Sequence, residues 1–246
     1  MLKPRKVISV NSVFKSFGEN HVLRDFSLTL SQGENLAILG KSGSGKSVLI
    51  KCIINLIEPD RGDIVVLDEN VAGLSQDLLD RLRARVGFLF QSNALYDSMT
   101  VRENLEFPLR RHWNKAQKLS GSEQAVTEAL DDVGLSHTVD MMPSELSGGM
   151  RKRIALARTL ILKPAIILYD EPTTGLDPIT AREISNLIVK VQEKYNTASI
   201  IISHDMNCIK ITSNRVVMLI DGKAYADDTY RELQTTDDPR IKEFFE

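Results

Sequence analysis

Cysteine is nearly absent from this chain of 246 residues: Cys52 and Cys208 are far apart and have no partners at metal-ligand spacing. That excludes a disulfide framework, and the expectation is two reduced, buried thiols of a cytosolic protein. Excess charge is missing too. Thirty-one basic residues stand against 33 acidic ones, a net charge of −2, so there is no clustered positive field for nucleic acid. Long apolar runs are also lacking. AIILY (165–169) and SIII (199–202) are strand-sized, far short of the about 18–20 residues of a membrane helix. MLKPRKVISV at the N-terminus is basic but has no apolar stretch long enough for a signal peptide. There is no internal repeat, low-complexity run or linker.

What is present is a 42% hydrophobic chain, enough for a sizeable core, at a length that suits one large domain or a domain with an insertion. VISV and VLRDFSLTL, with turn signals at Gly18-Glu19-Asn20 and Ser31-Gln32-Gly33, read as antiparallel strands. NLAIL (35–39) is a short apolar run ending in glycine, and KSVLIKCIINLI after it has helical spacing. Strand, Gly-rich turn and helix open a parallel α/β unit. DIVVL (63–67) and VGFLF (86–90) continue the strands, with a helix around 76–85. From Thr100 to about Leu162 the periodicity is helical, clearest over 122–133 and 150–161. IILYD then returns to a buried strand. A helix over 179–195, a strand over 198–202, the pair RVVMLI-DG-KAYA and an amphipathic tail, DDPRIKEFFE, follow. The expected architecture is one α/β domain with core 1–99 and 165–246. It carries an antiparallel β-subdomain near the N-terminus and a helical subdomain inserted at 100–164.

GKSGSGKS (40–47) fits G-x-x-x-x-G-K-[ST] and sits between that strand and that helix. Gly40, Gly43 and Gly45 let backbone N–H groups wrap phosphates, together with Lys41, Ser42 and Ser44 of the same loop. Lys46 can reach the β- and γ-phosphates, and the Ser47 hydroxyl can ligate Mg²⁺. A Mg²⁺-holding carboxylate commonly ends a buried strand beside such a loop. Asp170 ends one and Glu171 follows, so Asp170 is expected at the metal and Glu171 as general base for the attacking water. Pro172 and Gly175 mark a tight loop behind them. LSGGMRKR (146–153) is a second anion-binding turn: Ser147 can cap a helix, and Gly148 and Gly149 open its backbone to a ligand. Gln91 and His204 also follow strands; alone, each reads as structural.

The order of these pieces resembles an ABC-type ATPase over nearly the whole chain. In SFGENHVL, Phe17 matches the aromatic that stacks on adenine. Residues 40–47 match Walker A, Gln91 the Q-loop, LSGGM the signature motif, IILYDE Walker B, TGLD the D-loop and His204 the switch histidine. The resemblance implies a P-loop NTPase fold of ABC type, with ATP and Mg²⁺ as ligands. Glu171, His204 and Gln91 become the catalytic set, Ser47, Gln91 and Asp170 the metal set, and Val48 and Asp177 join the nucleotide contacts. It also implies a head-to-tail homodimer, in which Ser147, Gly148 and Gly149 of one chain close on the γ-phosphate held by the other.

Two positions depart from the common pattern. Val48 stands where a hydroxyl residue is frequent, and Met150 where glutamine is usual. GKSVLIK, FLFQSNALYDSMTVRENLEFPLR, PSELSGGMRKRIALAR and LYDEPTTGLDPIT together resemble the ATPases of Mce/Mla-type lipid transporters, as does the tail. That resemblance implies an integral membrane permease as partner and, indirectly, an Mce-domain lipid-binding protein. It places the chain on the cytoplasmic face of the membrane. An importer ATPase for a small polar solute is the alternative. No DNA or ribosome partner is expected, because the long coiled-coil insertion and second ATPase domain of those relatives are lacking. FPLRRHWNK (107–115) reads as a solvated helix end or a permease contact. RKR (151–153) reads as solvent-facing support for the signature helix.

Overall fold

The computed structural model describes residues 5–245, without the side chains of residues 115, 116 and 118–120. Residues 1–4 and 246, at the ends of the N-terminal stretch and the tail read above, lie outside the described residues, as does the Lys115 side chain. Alternation at the N-terminus gives β1 (Lys6–Phe17) and β2 (Asn20–Ser31), paired antiparallel. β4 (Arg61–Val66) joins the other side of β1, and β5 (Glu69–Asn70) completes a four-stranded sheet in the order β2-β1-β4-β5. Val10, Val13, Phe26, Leu30 and Ile64 turn inward from it into the main core.

The second sheet is the one that builds the site. β3 (Asn35–Leu39), β6 (Val86–Leu89), β7 (Ile166–Asp170), β8 (Ala198–Ile202) and β9 (Arg215–Ile220) run parallel, and β10 (Lys223–Asp228) closes one edge antiparallel. The order is β10-β9-β3-β8-β7-β6. Every residue of β3 and β8 is buried, as continuous apolar strands of a sheet covered on both faces must be. Because the strands are parallel, β3, β8, β7 and β6 deliver residue 40, His204, Asp170 and Gln91 to the same carboxyl edge. That is where α/β sheets bind ligands.

The helices are α1 (Lys46–Ile53), α2 (Gln76–Ala84), α3 (Val101–His112), α4 (Lys115–Asp132) and α5 (Gly148–Leu160), then α6 (Pro178–Tyr195), α7 (Met206–Thr212), α8 (Tyr230–Thr235) and α9 (Pro239–Lys242). Helices α3 to α5 lie between β6 and β7 in the chain. Leu105, Leu130, Ile154 and Leu156 share a core with Tyr169 and Ile184 of the sheet side. The end of α1 differs from the sequence expectation for a local reason. α1 stops at Ile53 rather than running to 57. Asn55 takes a left-handed φ of 51°, and the N–H groups of Asn55 and Leu56 return to Cys52 O at 3.0 Å and Lys51 O at 2.8 Å, a Schellman ending. α4 starts at Lys115, inside the stretch expected to be helical from Thr100 on, where Asn114 and Gln117 cap each other reciprocally, at 3.0 and 2.9 Å. The last hairpin turns on Asp221 (φ 51°) and Gly222 (φ 77°), the positive-φ pair of a two-residue turn matched to strand twist. Beyond it, Ile241, Phe244 and Phe245 of the tail pack with Leu233 and Met218. Both cysteines are free and buried; burial pushes the Cys52 thiol up to about 11.

Candidate nucleotide site

The loop leaving β3 cannot carry side chains at its tightest points. A Cβ on Gly45 (φ 103°) would lie 2.5 Å from Val22 Cγ1, and one on Gly40 would lie 2.7 Å from Leu219 O. Lys46 opens α1 and is only 8% exposed. Its Nζ donates to Gly40 O (2.7 Å) and Lys41 O (2.9 Å), drawing the loop around the ammonium. Burial pushes this ammonium below the usual lysine range, while the charges of Glu171 and Asp170 pull it back. Ser44 Oγ is buried in the same loop without a hydrogen-bond partner among the described residues, a hydroxyl that an oxyanion can satisfy. Ser47 Oγ donates to Asp170 Oδ1 at 3.3 Å.

Burial also raises the Asp170 carboxyl above the usual range, opposed by the Ser47 hydrogen bond and reinforced by the neighbouring Glu171 charge. A cation at this position relieves that cost. Glu171 itself is held in a left-handed conformation (φ 52°) that a non-glycine residue seldom adopts, and its N–H is fixed to Ile202 O at 2.9 Å. Its carboxylate accepts from Thr174 Oγ1 at 3.1 Å, and His204 Nδ1 lies 2.8 Å from the same oxygen. A carboxylate so held can polarise a water. Phe17, at the end of β1, is 49% exposed and has Lys15 Nζ 5.4 Å from its ring centroid. One cleft of about 760 Å³ is lined by Phe17, Gly40, Ser42, Gly43, Gly45, Lys46, Ser47, Val48, Gln91, Asp170, Glu171 and His204. Its size suits a nucleoside triphosphate. One hydroxyl, one carboxylate and an amide are the sparse, hard oxygen set that suits Mg²⁺ held mainly by phosphates.

The signature turn lies elsewhere. Ser147 Oγ caps α5 by accepting from Met150 N at 3.2 Å. A Cβ on Gly149 would lie 2.6 Å from Thr180 Cγ2, whereas Gly148 meets nothing nearer than Leu176 Cδ2 at 3.9 Å and is open to a ligand. These residues line a second cleft with Met150 and Asp177, and the two clefts share no residue. Asp177 spends its carboxylate on capping α6, accepting from Thr180 Oγ1 (2.6 Å) and from the N–H groups of Ile179 and Thr180 (both 3.0 Å). Lys41 points away from the phosphate cleft, and its Nζ pairs with Glu243 of the tail at 2.7 Å. Thus one chain brings the phosphate loop, Gln91, Asp170, Glu171 and His204 together, and leaves Ser147, Gly148, Gly149 and Asp177 apart.

The expectation that residues 151–153 face solvent is overturned. Lys152 is 2% exposed and donates to Gln91 O at 3.0 Å. Arg151 donates to Leu146 O at 2.6 Å, and Arg153 reaches Val133 O (3.2 Å) and Glu183 (2.6 Å). Lys152 alone is fully buried, Arg151 and Arg153 are half-buried beside it, and backbone carbonyls and the Glu183 carboxylate receive the three cations. The 107–115 stretch is a paired helix end: Arg111 meets Asp80, and Trp113 packs on the helical core. Thr174 and Lys152 were not identified from the sequence; the helical spacing of Lys152 with Leu156 and Thr159 is the signal that could have found it.

Comparison with known proteins decides the family. The ABC transporter family model matches residues 23–174. The chain belongs to the ABC transporter family. A probable ribonucleotide transport ATP-binding protein, mkl, of Mycobacterium bovis is 38% identical over 237 residues, 96% of this chain. The chain spans 66% of the length of that relative. The intermembrane phospholipid transport system ATP-binding protein MlaF of Escherichia coli is 36% identical over 98% of this chain and 88% of its own. Among solved structures, the dimeric post-hydrolysis state of the cassette MJ0796 bound to ADP and Pi matches with a TM-score of 0.81 and 31% identity. That match covers 90% of this chain and 98% of the other. The α/β fold with its inserted helices is therefore that of an ABC ATPase cassette, and the cassette is an ATPase that binds ATP.

Proposed function

We propose that this cassette hydrolyses Mg-ATP as one half of a homodimer and thereby drives a separate membrane permease that moves phospholipid between bacterial membranes. The observation that carries the dimer is the division of the site: the phosphate loop and the signature turn line different clefts of one chain. A second copy, related head to tail, supplies the missing half of each. In that arrangement the loop amides and Lys46 bind the phosphates, and Phe17 stacks on the base. Mg²⁺, when held by Ser47, Asp170 and Gln91, neutralises charge on the β- and γ-phosphates. Glu171 takes the proton of the attacking water, and His204 keeps its carboxylate aimed. Asp177 acts at the interface by fixing the start of α6 beside the partner's site.

Beside Gln91 lies an apolar surface suited to the permease. Phe88 and Phe90 stack with centroids 4.1 Å apart, Tyr96 and Phe107 meet at 4.7 Å, and Phe90, Tyr96 and Phe107 are exposed. No helix among the described residues is long and apolar enough to cross a membrane. In this reading the cassette works at the cytoplasmic membrane face, with an Mce-domain protein reached through the permease. The mycobacterial relative, a probable ribonucleotide transport ATP-binding protein, favours a second reading, a polar nucleotide-like solute.

Purification of the full chain with its membrane partners, followed by mass spectrometry of bound small molecules, separates the readings. Phospholipid in the complex is expected, and Asp97→Lys in the exposed loop after Gln91 should cut transport while leaving ATP binding intact. A complex carrying ribonucleotide without lipid, or recovery of ribosomes or DNA instead of a permease, contradicts the proposal.

A further inference from the structure

A lysine buried in the helix that begins with the signature turn has no part in the chemistry described so far. Lys152 lies one turn into α5 and is 2% exposed, and its ammonium donates to the backbone carbonyl of Gln91 at 3.0 Å. A second cation of the same helix follows it onto the same segment: Arg158 Nη2 donates to Asn93 O at 3.4 Å. Just beyond, Asn93 (φ 64°) and Ala94 (φ 52°) take consecutive left-handed conformations, so the segment is tightly bent where these cations grip it.

We propose that Lys152 is a positioning residue that fastens the signature helix to the backbone of Gln91, so that the signature turn and the Gln91 side chain move as one unit. The proposal rests on the reading of Gln91 as a ligand-side residue of the phosphate cleft. Stability alone does not account for the lysine. Burying an ammonium is costly, and its attraction to a partner repays that cost only where the geometry is excellent, so a buried charge is weak evidence for stability. Burial holds this ammonium below the usual lysine range, with Asp170 and Glu171 drawing it back. What it provides is a directional link: any rotation of α5 that brings Ser147 toward a partner's phosphate also displaces the carbonyl of Gln91. Arginine preserves that link and methionine removes it.

The test uses the full chain carrying Lys152→Met, Lys152→Arg, Gln91→Ala and the double variant Gln91→Ala with Lys152→Met. Lys152→Met should melt no lower than the parent and bind fluorescent ATP equally well. Its Mg-ATP hydrolysis should fall, and its half-saturating Mg²⁺ rise, by about ten-fold to a hundred-fold, the scale of a small misplacement of an active group. Lys152→Arg should stay near the parent. In nucleotide-free chain, amide exchange over residues 91–94 should quicken about ten-fold in Lys152→Met, because the loop loses a charge-assisted hydrogen bond. Adding Lys152→Met to Gln91→Ala should cost nothing further, since one acts through the other. Additive losses, or a fall in activity that tracks the melting temperature in both lysine variants, overturn the proposal. A change in Gln91→Ala without one in Lys152→Met overturns it alone; no change in Gln91→Ala removes the reading of Gln91 and the proposal with it. If Lys152→Met does not fold, Lys152→Gln takes its place under the same criteria.

Discussion

At the scale of single residues, Phe17 and Asp170 show two ways a site departs from ordinary packing. Phe17 leaves half of a large ring in water at the cleft mouth, next to a lysine, so its role is not core packing. Base stacking on an aromatic contributes roughly 1–3 kcal/mol. Phe17→Ala is therefore expected to raise the ATP Kd by about ten-fold to a hundred-fold. Titration with ATP and GTP checks this, and both should weaken together because stacking hardly distinguishes purines. Unchanged affinity would show the ring idle. Asp170 is raised above the usual carboxylate range, chiefly by burial. An acid whose folded pKa exceeds its unfolded value destabilises the fold when ionised, so stability is lost as pH rises through the range above about 3.9. Asp170→Asn should consequently raise the melting temperature of the nucleotide-free chain at pH 7 while abolishing the extra stabilisation by Mg-ATP. A lower melting temperature without ligand contradicts this reading. The gathering of Lys46, Ser47, Asp170 and Glu171 at one cleft was legible because each stands at a strand end or just after a glycine turn. Lys152 was not, because its burial depends on which face α5 presents to β6, and LSGGMRKR looks uniformly polar there.

At the scale of elements, α5 and β6 meet at a close approach that only a glycine allows. A Cβ on Gly87 would lie 2.6 Å from Thr159 Cγ2 and 3.1 Å from Pro164 Cγ. Gly87→Ala is expected to destabilise by about 1–3 kcal/mol, the usual range for overpacking. Thr159→Ser removes the nearest methyl and keeps the hydroxyl, so the double variant should regain part of the loss. Urea unfolding of the three variants measures this, and a double variant no better than Gly87→Ala would place the strain elsewhere. Strands and long helices were readable from periodicity, but two helix ends were not. The Asn55 ending of α1 and the Asn114–Gln117 cap of α4 are hydrogen-bonded devices of a few residues, and apolar spacing runs past them.

At the scale of the whole molecule, the parallel sheet gathers four chemically distinct strand ends at one edge, while the capped start of α5 presents its glycines from another cleft. The sequence carried both halves of that arrangement as motifs, and the family resemblance already implied that they meet only between two chains; the structure gives each half its own cleft. The solved neighbour bound to ADP and Pi is itself dimeric. Glu171→Gln keeps the shape and hydrogen bonding of the side chain but not its basicity. Hydrolysis should fall by about 10²–10⁴-fold, the span of general-base catalysis, with ATP still bound. Light scattering of this variant with and without Mg-ATP, alone and combined with Ser147→Arg, is the most direct test of the dimer. The expected result is an ATP-dependent dimer for Glu171→Gln and a monomer that still binds ATP when Ser147→Arg is added. A double variant that dimerises with ATP as well as Glu171→Gln alone would contradict the claim that the signature turn closes the partner's site.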